Sequence, residues 1–444
     1  MIAKILLDKK REGRALGSAE IRGLVDGYTK GEIPDYQMSA FAMAVCCRGM
    51  TARETADLTD AMMRSGACLD WSDLHVPTAD KHSTGGVGDK LSLVIQPLAA
   101  ACGVAVPSLT GRGLGLTGGT ADKLETIPGY NAGLSLAAFR KVIADVGVSM
   151  TVQTQEICPA DKKLYALRDV TGTVASIPLI CASILSKKWA EGAGTLVFDV
   201  KFGKGAFMKT VEEATELAVA MVDASKAAGR KSAALVTDMN APLGYAVGNI
   251  NEVAEALEVL RAGTSDGNGP SSVRWLEADF VRLSVELASL MVSLAKDMPL
   301  DDARRLCDEK LADGSAYRKF REMVQAHGGD LDAFDRRAKK GAFRFRLQAM
   351  RTGYVSAIDA EKVARVALSL GAGRMEAGDR IDPYAGVTLS VKIGDRVGSR
   401  TPLATLEKSG SPDGLEKAAS ELLAAFEFSP TAPAPGNLIV KRIA

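Results

Sequence analysis

The chain has 444 residues, 47% apolar and 25% charged, which is the composition of a folded globular protein. This length exceeds one ordinary hydrophobic core, so we expect two or three domains. Lys and Arg number 55 against 54 Asp and Glu, and a net charge of +1 offers no field that favours nucleic acid or an anionic membrane.

The first 66 residues have the patterns of helices. One predicted helix carries apolar residues at the spacing of a single helix face: Ile21, Leu24, Val25 and Tyr28. Thr51 and Glu54 form a capping box that opens another helix. Residues 41–47 (FAMAVCC) are apolar all round, which predicts a helix buried on every side. Such a layer forms either a subunit interface or an intramolecular bundle, and the sequence leaves both open.

Two runs rich in glycine and hydroxyl residues follow, 81–90 (KHSTGGVGDK) and 110–120 (TGRGLGLTGGT). Glycine allows close approach of the backbone and φ > 0, so successive N–H groups can form a concave anion site. Lys81 adds a charge, and Ser83 adds a hydroxyl donor. Each run precedes a helical pattern, and together they predict phosphate binding.

Alternating strands and helices begin near residue 74. Residues 104–106, 195–200 and 233–237 are apolar and predict buried strands. A second capping box, Thr210 with Glu213, opens the helix between the last two. This succession predicts a sheet covered by helices, with the ligand beyond the carboxyl ends of the strands.

A helical stretch at about 150–193 interrupts this alternation and carries further polar candidates. Arg168 offers a planar fork and Lys187 a compact charge, while Ser183 shares a helix face with Lys187. This set suits a planar heterocycle that presents carbonyl oxygens, although solvated surface charges are an equal alternative. His82, between Lys and Ser in the first glycine run, is also a site candidate.

The carboxyl-terminal hundred residues change character again. Residues 386–397 alternate apolar and polar side chains around Gly394 and Asp395, which predicts a β-hairpin.

The cysteines and the amino terminus indicate a cytoplasmic protein. The seven cysteines show no CxxC or other metal-ligand spacing, so they predict reduced, buried thiols. Residues 1–10 lack the apolar stretch of a signal peptide, and no segment is long and apolar enough to cross a bilayer.

Several motifs, in order along nearly the whole chain, resemble the thymidine phosphorylase and pyrimidine-nucleoside phosphorylase family. They are residues 80–89 (DKHSTGGVGD), 111–115 (GRGLG), 117–125 (TGGTADKLE), 168–171 (RDVT), 182–188 (ASILSKK) and 199–201 (DVK). The resemblance implies reversible phosphorolysis, in which a pyrimidine nucleoside (uridine, thymidine or deoxyuridine) and inorganic phosphate give a free base and an α-pentose 1-phosphate. This chemistry requires no metal and no organic cofactor.

The resemblance also implies an α/β fold with a helical domain, a larger α/β domain around a central mixed sheet, and a carboxyl-terminal α+β portion with β-hairpins. The corresponding segments are 1–66 (helical), 67–155 (α/β, phosphate-binding), 156–193 (helical, base-binding), 194–335 (α/β) and 336–444 (carboxyl-terminal). A cleft between the first two domains would close by a hinge. A homodimer through the helical domain is expected.

The family's site residues carry over position by position. Those implied to bind phosphate are Lys81, Ser83, Ser92, Thr110 and Thr120. Those implied to hold the pyrimidine are Arg168, Ser183 and Lys187, with His82 as a possible proton donor. Apolar pocket walls are implied at Leu114, Tyr165 and Phe207.

The chain departs from the family pattern at three places. Leu116 stands where His is usual, which indicates either a packing change or a shifted substrate preference. Thr110 replaces Ser and keeps the hydroxyl. Some members bind potassium through residues that match Gly88, Leu243, Ala246 and Glu255, plus a Thr where this chain has Lys90. We hypothesise that the Lys90 ammonium replaces the ion and pairs with Glu255.

Two other functions remain open from the sequence. A phosphoribosyltransferase of the anthranilate type resembles this family in its helical domain and glycine-rich loop. A catalytically silent nucleoside-binding protein is the second alternative.

Overall fold

The computed structural model describes residues 3–113, 118–262, 279–338, 343–374 and 379–444. The chain begins with helices α1 to α4, at Ala3–Arg11, Ser18–Lys30, Asp35–Arg48 and Ala52–Met63. The predicted apolar face of α2 is buried. The predicted capping box opens α4, since Thr51 Oγ1 accepts from the Glu54 N–H and Glu54 Oε2 accepts from the Thr51 N–H. Both predictions are confirmed.

Helix α3 differs from the prediction that it is buried on every side. It packs against α1 and α8 (Pro159–Val170) along one face, which buries Phe41 and Val45. The opposite face meets solvent, and there Met43 is 43% exposed. Cysteine burial was predicted throughout, and this is wrong for the exposed Cys46, Cys47 and Cys68; the other four are buried. All seven are free thiols.

The sheet region follows in two parts, separated by two helices. The first part contains β1 Ala79–Ser83, α5 Leu91–Ala101, β2 Val106–Thr110, α6 Thr120–Leu124, α7 Leu136–Val146 and β3 Val148–Val152. The separating helices are α8 and α9, the latter at Ile177–Ala190. The second part contains β4 Thr195–Phe202, α10 Val211–Ala227, β5 Lys231–Asp238, β6 Ala246–Gly248, α11 Ile250–Arg261, α12 Asp279–Lys296, α13 Leu300–Ala312, α14 Ser315–Ala326 and α15 Leu331–Ala338.

The carboxyl-terminal portion combines strands with two helices. Its elements are β7 Phe343–Gln348, β8 Gly353–Ile358, α16 Ala360–Leu370, β9 Gly386–Leu389, β10 Arg396–Val397, β11 Pro402–Lys408, α17 Leu415–Leu423, β12 Phe426–Ser429 and β13 Ile439–Ile443.

The central sheet has the order β1-β4-β5-β13 and is mixed, because β13 pairs antiparallel with β5 while β4 pairs parallel with β1 and β5. Strands β2 and β3 form a parallel two-stranded sheet beside it. A bridge between Thr78 and Ala105 joins β2 to β1. The strands predicted at 195–200 and 233–237 lie within β4 and β5, and the capping box of Thr210 opens α10.

The strand predicted at 104–106 is placed too early. The N–H of Val104 still bonds to the Ala99 carbonyl of α5, so the chain enters the sheet only at Ala105, and β2 continues to Thr110.

Helices α8 and α9 pack on the amino-terminal helices and not on the sheet alone. Leu164 of α8 and Leu179 and Ala182 of α9 share one buried cluster with α1 to α4. This packing is the reason to propose that residues 156–193 form the second part of the helical domain.

The predicted hairpin at 386–397 is wrong. A turn does form, since the Asp395 N–H bonds to the Lys392 carbonyl and Gly394 has φ 94°. However, β9 pairs with β6 and β11, whereas β10 pairs with β8 in another sheet. The segment around Gly394 therefore carries the chain from one antiparallel sheet to the next.

None of the helices within the described ranges has both the length and the apolar character needed to cross a membrane.

Candidate active site

The first glycine run leaves β1 at its carboxyl end. His82 and Ser83 are the last residues of β1 and lie opposite Phe198 and Asp199 of β4. The chain then turns through Gly85 (φ 85°) and Gly88 (φ 72°), backbone conformations that favour glycine. At Gly88 space also excludes a side chain, because a Cβ would lie 2.5 Å from the Leu243 carbonyl oxygen.

The second run leaves β2, which the bridge between Thr78 and Ala105 places beside β1. Thr110 ends the strand and Thr120 opens α6. The run has two described arms, residues 110–113 and 118–120. They cross closely, since a Cβ at Gly119 would lie 2.3 Å from the Gly111 carbonyl oxygen. Leu114, the predicted pocket wall, and Leu116, the departure from the family pattern, lie outside the described residues.

A cavity of about 360 Å³ lies between the two runs and α9. It is lined by all five residues predicted to bind phosphate and by two of the residues predicted to act on the base: Lys81, Ser83, Ser92, Thr110, Thr120, His82 and Lys187. These side chains come from β1, β2, α5, α6 and α9, and they meet at the carboxyl ends of parallel strands.

The other predicted residues lie near the cavity or away from it. Ser183 Oγ accepts a hydrogen bond of 3.1 Å from Lys187 Nζ. The Arg168 guanidinium is buried and donates to the carbonyls of Thr173 (3.2 Å), Leu179 (3.0 Å) and Val174 (2.8 Å). These contacts use three of its five N–H groups.

The two remaining pocket walls face solvent in this conformation. Tyr165 is 47% exposed and Phe207 is 54% exposed. The roles of Arg168, Ser183, Tyr165 and Phe207 therefore remain predictions.

The cavity is buried and electropositive, and both properties affect the pKa of His82. Burial, followed by the charges of Lys188, Lys187 and Lys81, lowers the pKa of His82 well below its usual value. The imidazole is therefore neutral at pH 7 when the cavity holds no anion. Asp89 is the nearby counter-charge: although burial opposes its ionisation, Lys81 and other lysines hold the pKa of Asp89 well below its usual range.

Sequence reasoning missed several residues that line the cavity. These are Asp89, Ser108, Arg112, Gln153, Ile184 and Lys188. Gln153 comes directly after β3, just as Thr110 is the last residue of β2. A polar residue at the carboxyl end of a parallel strand is a pattern that could have predicted it. Ser108 gave no such signal, because only the fold places its hydroxyl beside Gln96, which donates to it at 3.1 Å.

Lys188 belongs to a buried network beneath the cavity. Its ammonium donates to Asp80, to the Leu109 carbonyl (3.0 Å) and to Glu191 Oε2 (3.1 Å). The Leu109 N–H also donates to Glu191 Oε2, at 3.1 Å. The network thus fixes both backbone groups of the residue before Thr110.

Lys90 lies at the position where the family resemblance implies a potassium site in some members. Its buried Nζ lies 2.9 Å from the Leu243 carbonyl, 3.0 Å from the Ala246 carbonyl and 2.6 Å from Glu255 Oε2. Three N–H groups meet three oxygens, so the ammonium already satisfies the donor set that a cation would need. The residues present do not fit a potassium ion.

Three family models match the chain in order. They are the helical bundle domain of a glycosyl transferase family at residues 4–66, the a/b domain of the same family at 75–317, and the pyrimidine nucleoside phosphorylase C-terminal domain at 354–429.

Curated relatives span nearly all of the chain. Pyrimidine-nucleoside phosphorylase from Geobacillus stearothermophilus is 47% identical over 404 residues, 90% of each chain. The protein of that name from Bacillus subtilis (strain 168) is 46% identical over 404 residues, again 90% of each chain.

Among solved structures, anthranilate phosphoribosyltransferase from Thermus thermophilus is similar with a TM-score of 0.57 and 20% identity, over 74% of this chain and 99% of that one. At this identity the likeness shows the fold alone. The sequence matches carry the family assignment: the chain belongs to the glycosyl transferase family of these models, among the pyrimidine-nucleoside phosphorylases.

Proposed function

We propose that this protein catalyses the reversible phosphorolysis of pyrimidine nucleosides to a free base and an α-pentose 1-phosphate. The observation that carries the proposal is the cavity that collects Lys81, Ser83, Ser92, Thr110 and Thr120 beside His82 and Lys187. Hydroxyls, a lysine and glycine backbone at the ends of parallel strands suit a small tetrahedral anion.

In this reaction the bound hydrogenphosphate is the nucleophile. One of its oxygens forms a bond to the anomeric carbon of the sugar while the bond from that carbon to the base nitrogen breaks. The proton of hydrogenphosphate is transferred to the departing base, so atoms and charge balance. Holding the two reactants in line removes much of the entropic part of the barrier.

The protein's charges act on what develops in the transition state. Positive charge grows on the sugar, beside the phosphate, and negative charge grows on the base. Lys187 and Arg168 would hold the pyrimidine with Ser183, and a positioned donor of this kind typically lowers the barrier by about 3 kcal/mol. Neutral His82 carries one ring N–H and one ring nitrogen that accepts. It can donate a hydrogen bond to the base, or relay the proton of hydrogenphosphate to the base.

We further propose a homodimer in the cytoplasm. Tyr36 on α3 is 74% exposed and Met43 43% exposed, an apolar surface on the helical region that a second copy would cover. Seven free thiols suit a reducing compartment. Light scattering across a dilution series would give the mass, and a monomer at micromolar concentration would contradict the dimer.

The deciding experiment is a panel of ribo- and deoxyribonucleosides incubated with phosphate, with base release followed by chromatography. Release of uracil or thymine, dependent on phosphate, is expected, and the panel identifies the preferred base and sugar. No release from any pyrimidine nucleoside would contradict the proposal. The second candidate that the sequence leaves open, a phosphoribosyltransferase, would instead consume 5-phosphoribosyl diphosphate with an aromatic acceptor.

A further inference from the structure

Arg374 reaches the substrate cavity's second glycine run from the carboxyl-terminal portion. It follows α16, and its side chain is only 15% exposed. Nη2 lies 2.8 Å from Asp122 Oδ1, and Nη1 donates to the Gly113 carbonyl at 3.2 Å. The guanidinium therefore contacts both the backbone of the run and an acidic residue of α6.

Asp122 itself holds the two arms of the run together. Its Oδ2 accepts the Gly113 N–H at 2.7 Å and the Gly119 N–H at 2.9 Å, and its side chain is 2% exposed. Because Gly119 packs tightly on Gly111, no side chain fits at the crossing. One oxygen of this carboxylate thus holds the two arms together at their crossing, which we call the neck, and the other oxygen contacts Arg374.

A second contact ties the same stretch of chain to the other arm. Asn249 Nδ2 donates to the Ala372 carbonyl at 2.8 Å. The Asn249 side chain packs directly on Gly118, where a Cβ would lie 2.3 Å from Oδ1. Residues 372–374 therefore contact both arms, one through Arg374 and the other through Asn249.

The four glycines at this neck all line the cavity: Gly111, Gly113, Gly118 and Gly119. Thr110 and Thr120, the two phosphate candidates of this run, stand immediately beside them. A change in the neck would therefore move two hydroxyls and several N–H groups that face the anion.

Arg112, the nearest alternative partner of Asp122, cannot replace Arg374. Its Nη1 lies 3.7 Å from Asp122 Oδ1, and its guanidinium is engaged with both carboxylate oxygens of Glu125. Without Arg374, the Asp122 carboxylate would be buried and poorly compensated, so we expect it to release the glycine N–H groups and turn toward water.

From these contacts we propose that Arg374 is a positioning residue through which the carboxyl-terminal portion sets the anion affinity of the cavity. This rests on the proposed function only in naming the anion as the nucleophilic phosphate. Arg374 does not touch the reacting atoms.

The test compares Arg374→Ala and Arg374→Lys with Arg365→Ala. Arg365 is a matched control, because it lies on α16, is 65% exposed and pairs with Glu361 one turn away. Amide hydrogen exchange at Gly113 and Gly119 is measured with and without inorganic phosphate, and KM and kcat are measured with a pyrimidine nucleoside.

We expect Arg374→Ala to raise the KM for phosphate about tenfold, which corresponds to about 1.4 kcal/mol, with the KM for the nucleoside within about twofold. Exchange at both glycines should be faster, and phosphate should protect them less. Arg374→Lys keeps a charge for Asp122 but lacks the fork that also reaches Gly113, so its phosphate KM should lie between those of the wild type and Arg374→Ala.

Equal exchange and equal phosphate KM in Arg374→Ala and Arg365→Ala would overturn the inference. If Arg374→Ala does not fold, wild-type values in Arg374→Lys for both readouts would overturn it instead. Absence of phosphorolysis in the wild type would refute the proposed function alone, because exchange with and without phosphate still tests Arg374.

Discussion

Lys187 and Arg168 both make structural contacts besides their proposed contacts with the base. Lys187 lies at the cavity, held by Asp161 and Ser183, whereas Arg168 also satisfies three buried carbonyls. Lys187→Ala should lower kcat about 10²–10³-fold, the cost of losing one donor to developing charge. It should also lower the melting temperature, because the buried Asp161 carboxylate loses its ammonium partner. Arg168→Ala should lower kcat similarly and also lower the melting temperature.

Steady-state kinetics and thermal unfolding would measure both effects. Lys162→Ala is the matched control, since Lys162 is exposed on α8 beside the same region. Near-normal turnover in both site variants would contradict the proposed base-binding site.

His82 should be neutral in the free enzyme and should gain basicity when phosphate binds. Burial and three lysines lower its pKa, and a bound dianion opposes the lysine charges, so the pKa should rise. Proton–nitrogen correlation spectra of the histidine ring, assigned with His82→Asn, would follow the titration. An imidazolium signal at pH 7 without phosphate would contradict the assignment.

The same shift has a consequence for stability. Because the folded-state pKa of His82 lies below the unfolded value, the unfolded chain binds a proton first as pH falls through about 6.5. Folding stability should therefore decrease in that window, and His82→Asn should reduce this decrease.

Lys90 should make the enzyme independent of potassium. Its ammonium supplies the buried positive charge between Leu243, Ala246 and Glu255. Lys90→Thr would remove that charge and leave three oxygens facing one another, so this variant should need added potassium for stability and turnover. Melting temperature and rate in potassium and sodium phosphate would show this difference. A wild-type enzyme activated by potassium would contradict it.

At the scale of elements, the Lys188 network joins β1, β2 and α9 beneath the cavity. Two carboxyl groups, Asp80 and Glu191, share one buried ammonium. Burial and the neighbouring Asp80 raise the pKa of Glu191 well above its usual value. Lys188→Met would leave Asp80 uncompensated and should cost about 3–5 kcal/mol of unfolding free energy.

Glu191→Gln tests the proton directly. Because the folded-state pKa of Glu191 is raised, the unfolded chain loses this proton first as pH rises above about 4.5, and wild-type stability should fall until the folded protein loses the proton as well. The Gln variant lacks this slope, and urea unfolding from pH 5 to pH 8 should show its relative stability increasing with pH. Glu216→Gln, exposed on α10, is the control. Parallel stability curves for Glu191→Gln and the wild type would contradict a raised pKa of Glu191.

The elements that the sequence predicted are those with local causes. Strands β4 and β5 followed from continuous apolar runs, and α4 and α10 from capping boxes that act within one turn. The hairpin at 386–397 failed because β9 pairs with β6 and β11 while β10 pairs with β8, so every pairing partner lies outside the segment itself. The Arg374 contact with Asp122 likewise joins residues far apart in sequence, so no local pattern could indicate it.

At the scale of the whole molecule, three adjacent connections join the helical region to the sheet region. They are the segments between α4 and β1, between β3 and α8, and between α9 and β4. The Ala67 N–H bonds to the Glu156 carbonyl at 2.7 Å, and the Leu69 N–H bonds to the Ala190 carbonyl at 2.8 Å. These bonds hold the three crossings side by side, which is the arrangement expected of a hinge.

We expect the proposed reaction to need closure about these connections. Phosphate candidates already surround the cavity, but Tyr165 of α8 and Phe207 after β4 are still half exposed. Because they lie on the two sides of these connections, a rotation that narrows the cavity would bury both rings over the nucleoside and exclude water from the charged transition state.

Hydroxyl-radical footprinting can detect this closure, with uracil and phosphate as an unreactive pair of ligands. Oxidation of Tyr165 and Phe207 should fall with both ligands together and much less with either alone, since closure needs contacts from both sides of the cleft. Phe343, 43% exposed in the carboxyl-terminal portion, should be unaffected. Unchanged oxidation of both rings at saturating ligand would mean that the open arrangement is the reactive one, and Arg168 would then have to act from its present carbonyl contacts.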